Sequence, residues 1–316
     1  MHLIVPFAGV LSEAGRQAIH SLALPHLERL LAHLAPATDA APVTVDQPDE
    51  SSLSTPHERE LARQRGWPVA DGALPWAALA ARSAGLDATG GEPRAWALLT
   101  PVHLEAGADR VTLRHPKALS LDDEVSRTLL EAVAPLFDDG GIRLHWLAAD
   151  RWLAVHPMFD GLATASLDRV IGRDISHWVP RQAQARPWRR LQNEVQMVLH
   201  RHAVNLARED AGLWPVNSLW CSGCGRLPPT DREPQGVLDD RLRDPALAED
   251  WVAWCEAWQS LDAGPIAQAL SRPSEAVLTL CGERRAVHLA ARPQGLWHRL
   301  GARWRRIAPQ PLLESL

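Results

Sequence analysis

Two short apolar runs near opposite ends of the chain constrain its fold more than any other feature. Residues 3–8, Leu-Ile-Val-Pro-Phe-Ala, and residues 276–281, Ala-Val-Leu-Thr-Leu-Cys, are short, apolar and carry β-branched members. Each reads as a buried strand, and each runs straight into a glycine, Gly9 or Gly282. Helical periodicity fills much of the chain between them, so the two runs suit an α/β core.

Helix signals follow the first strand. Residues 13–22 carry one. A second begins at Leu24-Pro25, with proline in the first turn and Leu27, Leu30, Leu31 and Leu34 on one face. Residues 35–54, rich in Pro, Asp, Thr and Ser, read as a surface loop. Thr55-Pro56-His57-Glu58 then has the form of a capping box: an N-cap hydroxyl, proline at N1 and a carboxylate three residues on. Residues 95–104 and 110–113 read as strands, 121–137 as a helix opened by Asp122, Asp123 and Glu124, and 142–147 and 152–155 as two more strands. That block suits a small α+β module inserted into a larger domain. The expected division is a core of residues 1–94 and 181–316 with a module at 95–180. Beyond it come a long helix at 188–210, stopped by Gly212, a strand at 216–221, a helix at 246–261 and a basic amphipathic segment at 295–307.

Composition narrows the function. Hydrophobic residues make up 46% of the 316 residues, enough for a sizeable core. A net charge of −5 gives no footprint for nucleic acid. No apolar run approaches the ~20 residues that cross a bilayer, and the first nine residues lack a basic segment ahead of an apolar one, so neither membrane nor export is expected. Four cysteines in a chain this long fit a reducing cytoplasm. Tryptophan, with 14 copies against 3 Phe and no Tyr, carries the aromatic packing. Trp251, Trp254 and Trp258 fall on one helical face, read first as core and second as a partner-binding surface.

The densest polar chemistry lies between Leu191 and Gly225. Asn193 stands early on the long helix. His202, Asn205, Arg208 and Glu209 gather over its last turns, and Asn217 follows on the next strand. Such a set either binds a small anion through guanidinium and amide donors or fastens the helix to the strand. His200 and His202 are two residues apart and cannot share a helical face, so they are no helical metal pair. Cys221-Ser222-Gly223-Cys224 is a C-x-x-C without a second pair of ligands nearby; it reads as small residues at a turn, or as a redox or metal motif. Arg284 and Arg285 follow a strand end, where α/β sheets often hold ligands, so Arg284 is a further candidate for an anion.

The pattern His202-Ala203-Val204-Asn205, Arg208, Gly212, Asn217, Trp220, Gly223 and Gly225 resembles cofactor-independent phosphoglycerate mutases of the archaeal type. Residues 24–30, Leu-Pro-His-Leu-Glu-Arg-Leu, are similar to a stretch of the wider alkaline-phosphatase-like superfamily. Residues 11–16, 55–58, 99–103 and 278–284 resemble bacterial RpfE-type regulatory proteins, a phosphoglycerate mutase-like group. The resemblance implies an alkaline-phosphatase-like core sheet flanked by helices with a smaller α+β insertion. It also implies two divalent metals held by Asp and His after the strands. This chain departs there, with Pro6-Phe7-Ala8-Gly9 after the first strand and Cys281-Gly282-Glu283-Arg284 after the late one. Without carboxylates a two-metal phosphoryl clamp has no counter-charge. The expectation is therefore a non-catalytic regulatory or sensing protein with no metal or cofactor, meeting a small phosphorylated or carboxylated ligand or a protein partner. The alternatives are a metal-dependent mutase or phosphohydrolase using Asp109, His103, His156 or Asp160, and an interaction module presenting its tryptophans.

Overall fold

The computed structural model describes residues 1–36, 50–87, 94–291 and 306–316. The chain divides into two units: Met1–Glu50, Thr55–Arg65 and Arg232–Leu316 form the first, Ser51–Ser54 and Gly66–Asp231 the second. The first unit opens with β1 (His2–Val5), α1 (Glu13–Ser21), α2 (Pro25–Leu31), β2 (Leu34–Pro36) and α3 (Pro56–Gln64). Ser12 caps α1 by accepting from the Gly15 N–H, and Glu13 sits in the first turn, where the helix dipole favours a negative charge. Helix α2 starts at its proline but stops at Leu31. Leu34, expected on its apolar face, belongs to β2 instead. The α2 amides of His26 and Leu27 donate to the buried Asp262 carboxylate at 3.1 and 2.7 Å, which anchors that helix start. Both arms of the expected α3 capping box form, with the Thr55 N–H donating to Glu58 Oε2 at 2.9 Å and the Glu58 N–H to Thr55 Oγ1 at 3.4 Å.

The second unit comprises α4 (Trp76–Ser83), β3 (Trp96–Val102), β4 (Leu104–Ala106), β5 (Val111–Leu113), α5 (Asp123–Asp139), β6 (Arg143–Ala148), β7 (Arg151–Val155), α6 (Leu167–Val170), α7 (Arg186–His200), α8 (Ala203–Asp210) and β8 (Ser218–Gly225). Four of these strands form an antiparallel sheet in the order β6-β7-β3-β8. Helices α5 and α7 lay Leu129, Val133, Phe137, Trp188, Leu191, Val195 and Leu199 into one core with Trp152 of β7. At its edge the Ser126 hydroxyl accepts from the Trp146 and Trp152 indoles at 3.1 and 2.9 Å and donates to the Ala149 carbonyl, so four polar groups satisfy one another.

Two expectations need correction here. The helix at 188–210 is two helices, because His202 leaves the helical backbone and caps α8, its Nδ1 accepting from the Val204 N–H at 3.3 Å. The division of the chain also falls elsewhere than at 95 and 180. A sheet ending at β3 would leave that strand an unpaired edge. Strand β8 pairs with it, α7 fills the core below, and both therefore belong to the insertion, as does α4 ahead of β3.

The chain then returns to the first unit with β9 (Val237–Leu238), α9 (Arg243–Leu247), α10 (Trp251–Leu261), α11 (Ala267–Ser271), β10 (Val277–Cys281), β11 (Ala286–Ala291) and α12 (Gln310–Glu314). A mixed sheet in the order β2-β11-β10-β1-β9 results, with β1 parallel to β10 and β9, and β11 antiparallel to β10 and β2. Helices flank it, so the architecture is α/β as expected. Side-chain alternation sends Leu3, Val5, Leu278, Leu280 and Leu289 into a core with Ile19, Leu27, Leu30, Trp254 and Trp258. Trp254 and Trp258 are fully buried and meet edge to face, their ring centres 6.1 Å apart. The tryptophan stripe is thus core. Most of the loop expected at 35–54 and the basic segment expected at 295–307 lie outside the described residues. Among the described residues no helix is long and apolar enough to cross a membrane.

Candidate functional site

The carboxyl ends of β1 and β10 lie side by side, with Val5 opposite Leu280 and the Ala8 N–H donating to the Cys281 carbonyl at 2.8 Å. Ligands of α/β sheets gather at such an edge. In this protein the edge is covered by the chain itself. Leu313 and Leu316, both fully buried, sit over Gly9 and Gly282. A Cβ at Gly9 would stand 2.2 Å from the Leu313 carbonyl oxygen, and one at Gly282 would stand 2.4 Å from Leu316 Cβ, so both positions must be glycine for this cover to close. The Arg284 and Arg285 N–H groups donate to the Leu316 carbonyl at 2.9 and 3.1 Å. The Glu283 carboxylate accepts from the Leu11 N–H at 3.0 Å. Phe7, at φ 55°, holds a left-handed backbone that costs a side-chain-bearing residue about 1 kcal/mol; its carbonyl accepts from the Trp254 indole at 3.1 Å and its ring packs on His57. Burial pushes the Cys281 thiol well above its ordinary range.

The residues expected to form an anion site are not one cluster. Asn205 donates to the Leu199 and Val216 carbonyls at 2.8 and 2.7 Å and accepts from the Val216 N–H at 2.9 Å, clamping the α7 end to the segment before β8. Arg208, whose burial lowers its pKa, donates to the carbonyls of Trp214 and Leu119. Asn217 pairs with both main-chain groups of Leu104, at 2.7 and 2.9 Å. His202 is a helix cap, and Glu209 is exposed. Arg284 belongs to the other unit and pairs with Glu50. Asn193 is exposed beside Arg186, Arg189 and Arg190, and with Val179 and Gln192 these residues line a shallow depression of about 430 Å³. Arg189 Nε is buried there and makes no hydrogen bond among the described residues.

The alternative ligands are equally dispersed. His103 Nδ1 meets the Pro215 carbonyl at 2.8 Å, and its ring packs tilted against Trp214. His156 caps a helical turn, Asp160 pairs with Arg226 at 2.8 Å, and Asp109 is exposed. The C-x-x-C lies inside β8, which runs four residues past the expected end at 221. Cys221 and Cys224 are buried free thiols with sulfurs 3.4 Å apart, and burial, reinforced by Cys224, raises Cys221 well above its ordinary value.

Sequence reasoning missed a second polar cluster. On the sheet face away from the apolar core, the fully buried Thr279 hydroxyl lies 2.8 Å from His2 Nε2 and 2.9 Å from His288 Nδ1. The rings meet edge to face, 5.2 Å between centres. From α3, Gln64 Nε2 donates to Glu60 Oε1 at 3.1 Å and approaches His2 Nδ1 at 3.4 Å, while its Oε1 accepts from the Gly236 N–H. Burial, then the neighbouring His288, lowers the pKa of His2. The available signal was alternation: Thr279 interrupts Leu278 and Leu280, and His288 interrupts Val287 and Leu289.

No family model and none of the curated proteins matches the chain. Among solved structures it is similar to the cofactor-independent phosphoglycerate mutase from Thermoplasma acidophilum DSM 1728, at 15% identity over 93% of this chain and 90% of that one, with a TM-score of 0.37. It is also similar to the PH0037 protein from Pyrococcus horikoshii, at 14% identity over 92% of this chain and 87% of that one, with a TM-score of 0.47.

Proposed function

We propose that this chain is a non-catalytic regulatory or sensing protein of the RpfE type on a phosphoglycerate-mutase-like framework, meeting a small phosphorylated or carboxylated ligand in the cytoplasm. The covered carboxyl edge carries this reading. Where ligands of such a sheet gather, Gly9 and Gly282 lie under Leu313 and Leu316, and Glu283 binds a main-chain amide. The cover leaves a phosphoryl group no room between Gly9, Gly282 and Leu316. The anion is better served by the depression at Asn193, which Arg186, Arg189 and Arg190 line, the last also pairing with Glu194 at 2.9 Å. Free buried thiols at Cys221 and Cys224 suit a reducing compartment.

The test combines turnover and binding on the full chain. Interconversion of phosphoglycerates is assayed with magnesium, manganese and zinc, and binding of 3-phosphoglycerate and inorganic phosphate is followed by calorimetry. The expected outcome is no turnover, with saturable binding that weakens about tenfold in Arg189→Ala, the loss of one good charge-assisted contact. Metal-dependent turnover that vanishes with a chelator overturns the reading.

A further inference from the structure

We propose that His2, Glu60 and His288 form a binding site for one divalent transition-metal ion, zinc or a close relative, on the sheet face opposite the apolar core. One ring nitrogen from each imidazole and a carboxylate oxygen of Glu60 lie within 4.8 Å of one another; among the described residues this is the one such group of three. Two imidazoles and a carboxylate make a donor set suited to zinc, with a fourth position for water. Small side-chain adjustments bring donors at this spacing onto bonds of about 2.0–2.2 Å.

The surroundings are those of a prepared site. Thr279 has no solvent exposure, and its hydroxyl holds one nitrogen of each ring. A hydroxyl oxygen has two acceptor lone pairs, so it can take an N–H from both imidazoles at once. When both rings donate to it, the second nitrogen of each ring carries the lone pair a cation needs, the role outer partners play at metal-ligating histidines. Gln64 steadies the carboxylate through Glu60 Oε1, and Arg63 meets Glu60 Oε2 at 3.3 Å. An ionised carboxylate has about four lone-pair sites, so these contacts leave room for a metal bond. The 3.4 Å approach of Gln64 to His2 Nδ1 is long for a hydrogen bond and is the contact a cation would displace.

This site is separate from the covered strand ends, and it stands whether or not the chain is an enzyme. The test titrates the full chain, carrying no added histidine tag, with zinc alone in a calorimeter. One zinc per chain is expected. Glu60→Gln and His288→Ala should each weaken binding at least about tenfold, and Thr279→Val by about tenfold while Thr279→Ser retains it, the range seen when an outer partner is removed. Should those variants fail to fold, zinc is tested on the natural chain for protection of His2 and His288 against diethyl pyrocarbonate, read by mass spectrometry. Protection of these two histidines above the chain's others supports the site. Zinc affinity unchanged in the variants, or uniform labelling with and without zinc, means an adventitious ion only and overturns it. Phosphoglycerate turnover surviving Glu60→Gln would instead count against the reading of the covered edge and leave this site standing.

Discussion

The two faces of the five-stranded sheet are made by the same strands and alternate residue by residue, yet they are different materials. One face presents Leu3, Val5, Leu278, Leu280 and Leu289 to helices α1, α2 and α10 and buries tryptophans against them. The other presents His2, Thr279 and His288 to a helix that brings Glu60 and Gln64. On the first face the strands contribute by volume and apolar area. On the second, every donor and acceptor has to find a partner, because a polar group withdrawn from water is costly unless it is bonded. The comparison teaches where specificity is stored. An apolar face tolerates substitutions that conserve volume, whereas the polar face fixes particular atoms at particular distances.

The largest effect belongs to the apolar face. Trp254→Ala removes a fully buried indole, its edge contact with Trp258 and the bond to the Phe7 carbonyl. It should lower stability by about 3–5 kcal/mol, the usual cost of truncating a buried large aromatic. Urea unfolding followed by fluorescence measures it. A loss under about 1 kcal/mol would show that these tryptophans are a surface, as a partner-binding stripe requires. Next comes the sheet edge that joins the faces. Gly9→Ala forces a methyl against the Leu313 carbonyl, 2.2 Å away. Main chain cannot rotate aside as a side chain does, so a cost of about 1–3 kcal/mol is expected. Amide exchange should show residues 310–316 loosened first. An unchanged exchange pattern there would remove the argument that the carboxyl edge is covered.

Much of the apolar face was legible in the sequence and little of the polar one. Strand runs, the proline opening α2, the capping box at Thr55 and the Trp251-Trp254-Trp258 spacing are local signals, each set by a few neighbours, and all appear in the fold. Strand β11, Ala-Val-His-Leu-Ala-Ala, has little intrinsic strand character and exists because β10 and β2 pair with it. His288 therefore had no face until the sheet assembled. The same reasoning explains the site expected on α7 and α8. Density of amide and guanidinium groups reads as binding chemistry in a sequence, but Asn205 and Arg208 meet main-chain carbonyls at the end of α7 and in the segment before β8. Asn193, which no such carbonyl claims among the described hydrogen bonds, stays exposed, as does Glu209.

The smallest effect separates the two faces most sharply. Thr279→Val keeps the shape of a fully buried side chain and deletes one hydroxyl. Were the polar face held by packing, as its opposite is, stability would hold or rise, since an apolar group replaces a polar one. If it is held by hydrogen bonds, the imidazole nitrogens of His2 and His288 lose a shared partner. Both rings keep partial access to water, which limits the loss to about 1 kcal/mol. Thr279→Ser restores the hydroxyl and removes a methyl, itself worth about 0.8 kcal/mol of burial. Stability alone therefore distinguishes the two variants poorly, and the discriminating reading is their zinc affinity beside it. Equal stability losses with affinity lost only in the valine variant assign the hydroxyl a positioning role. Equal affinity in both would mean that the packing of the polar face, rather than its hydrogen bonds, sets the distance between the two rings.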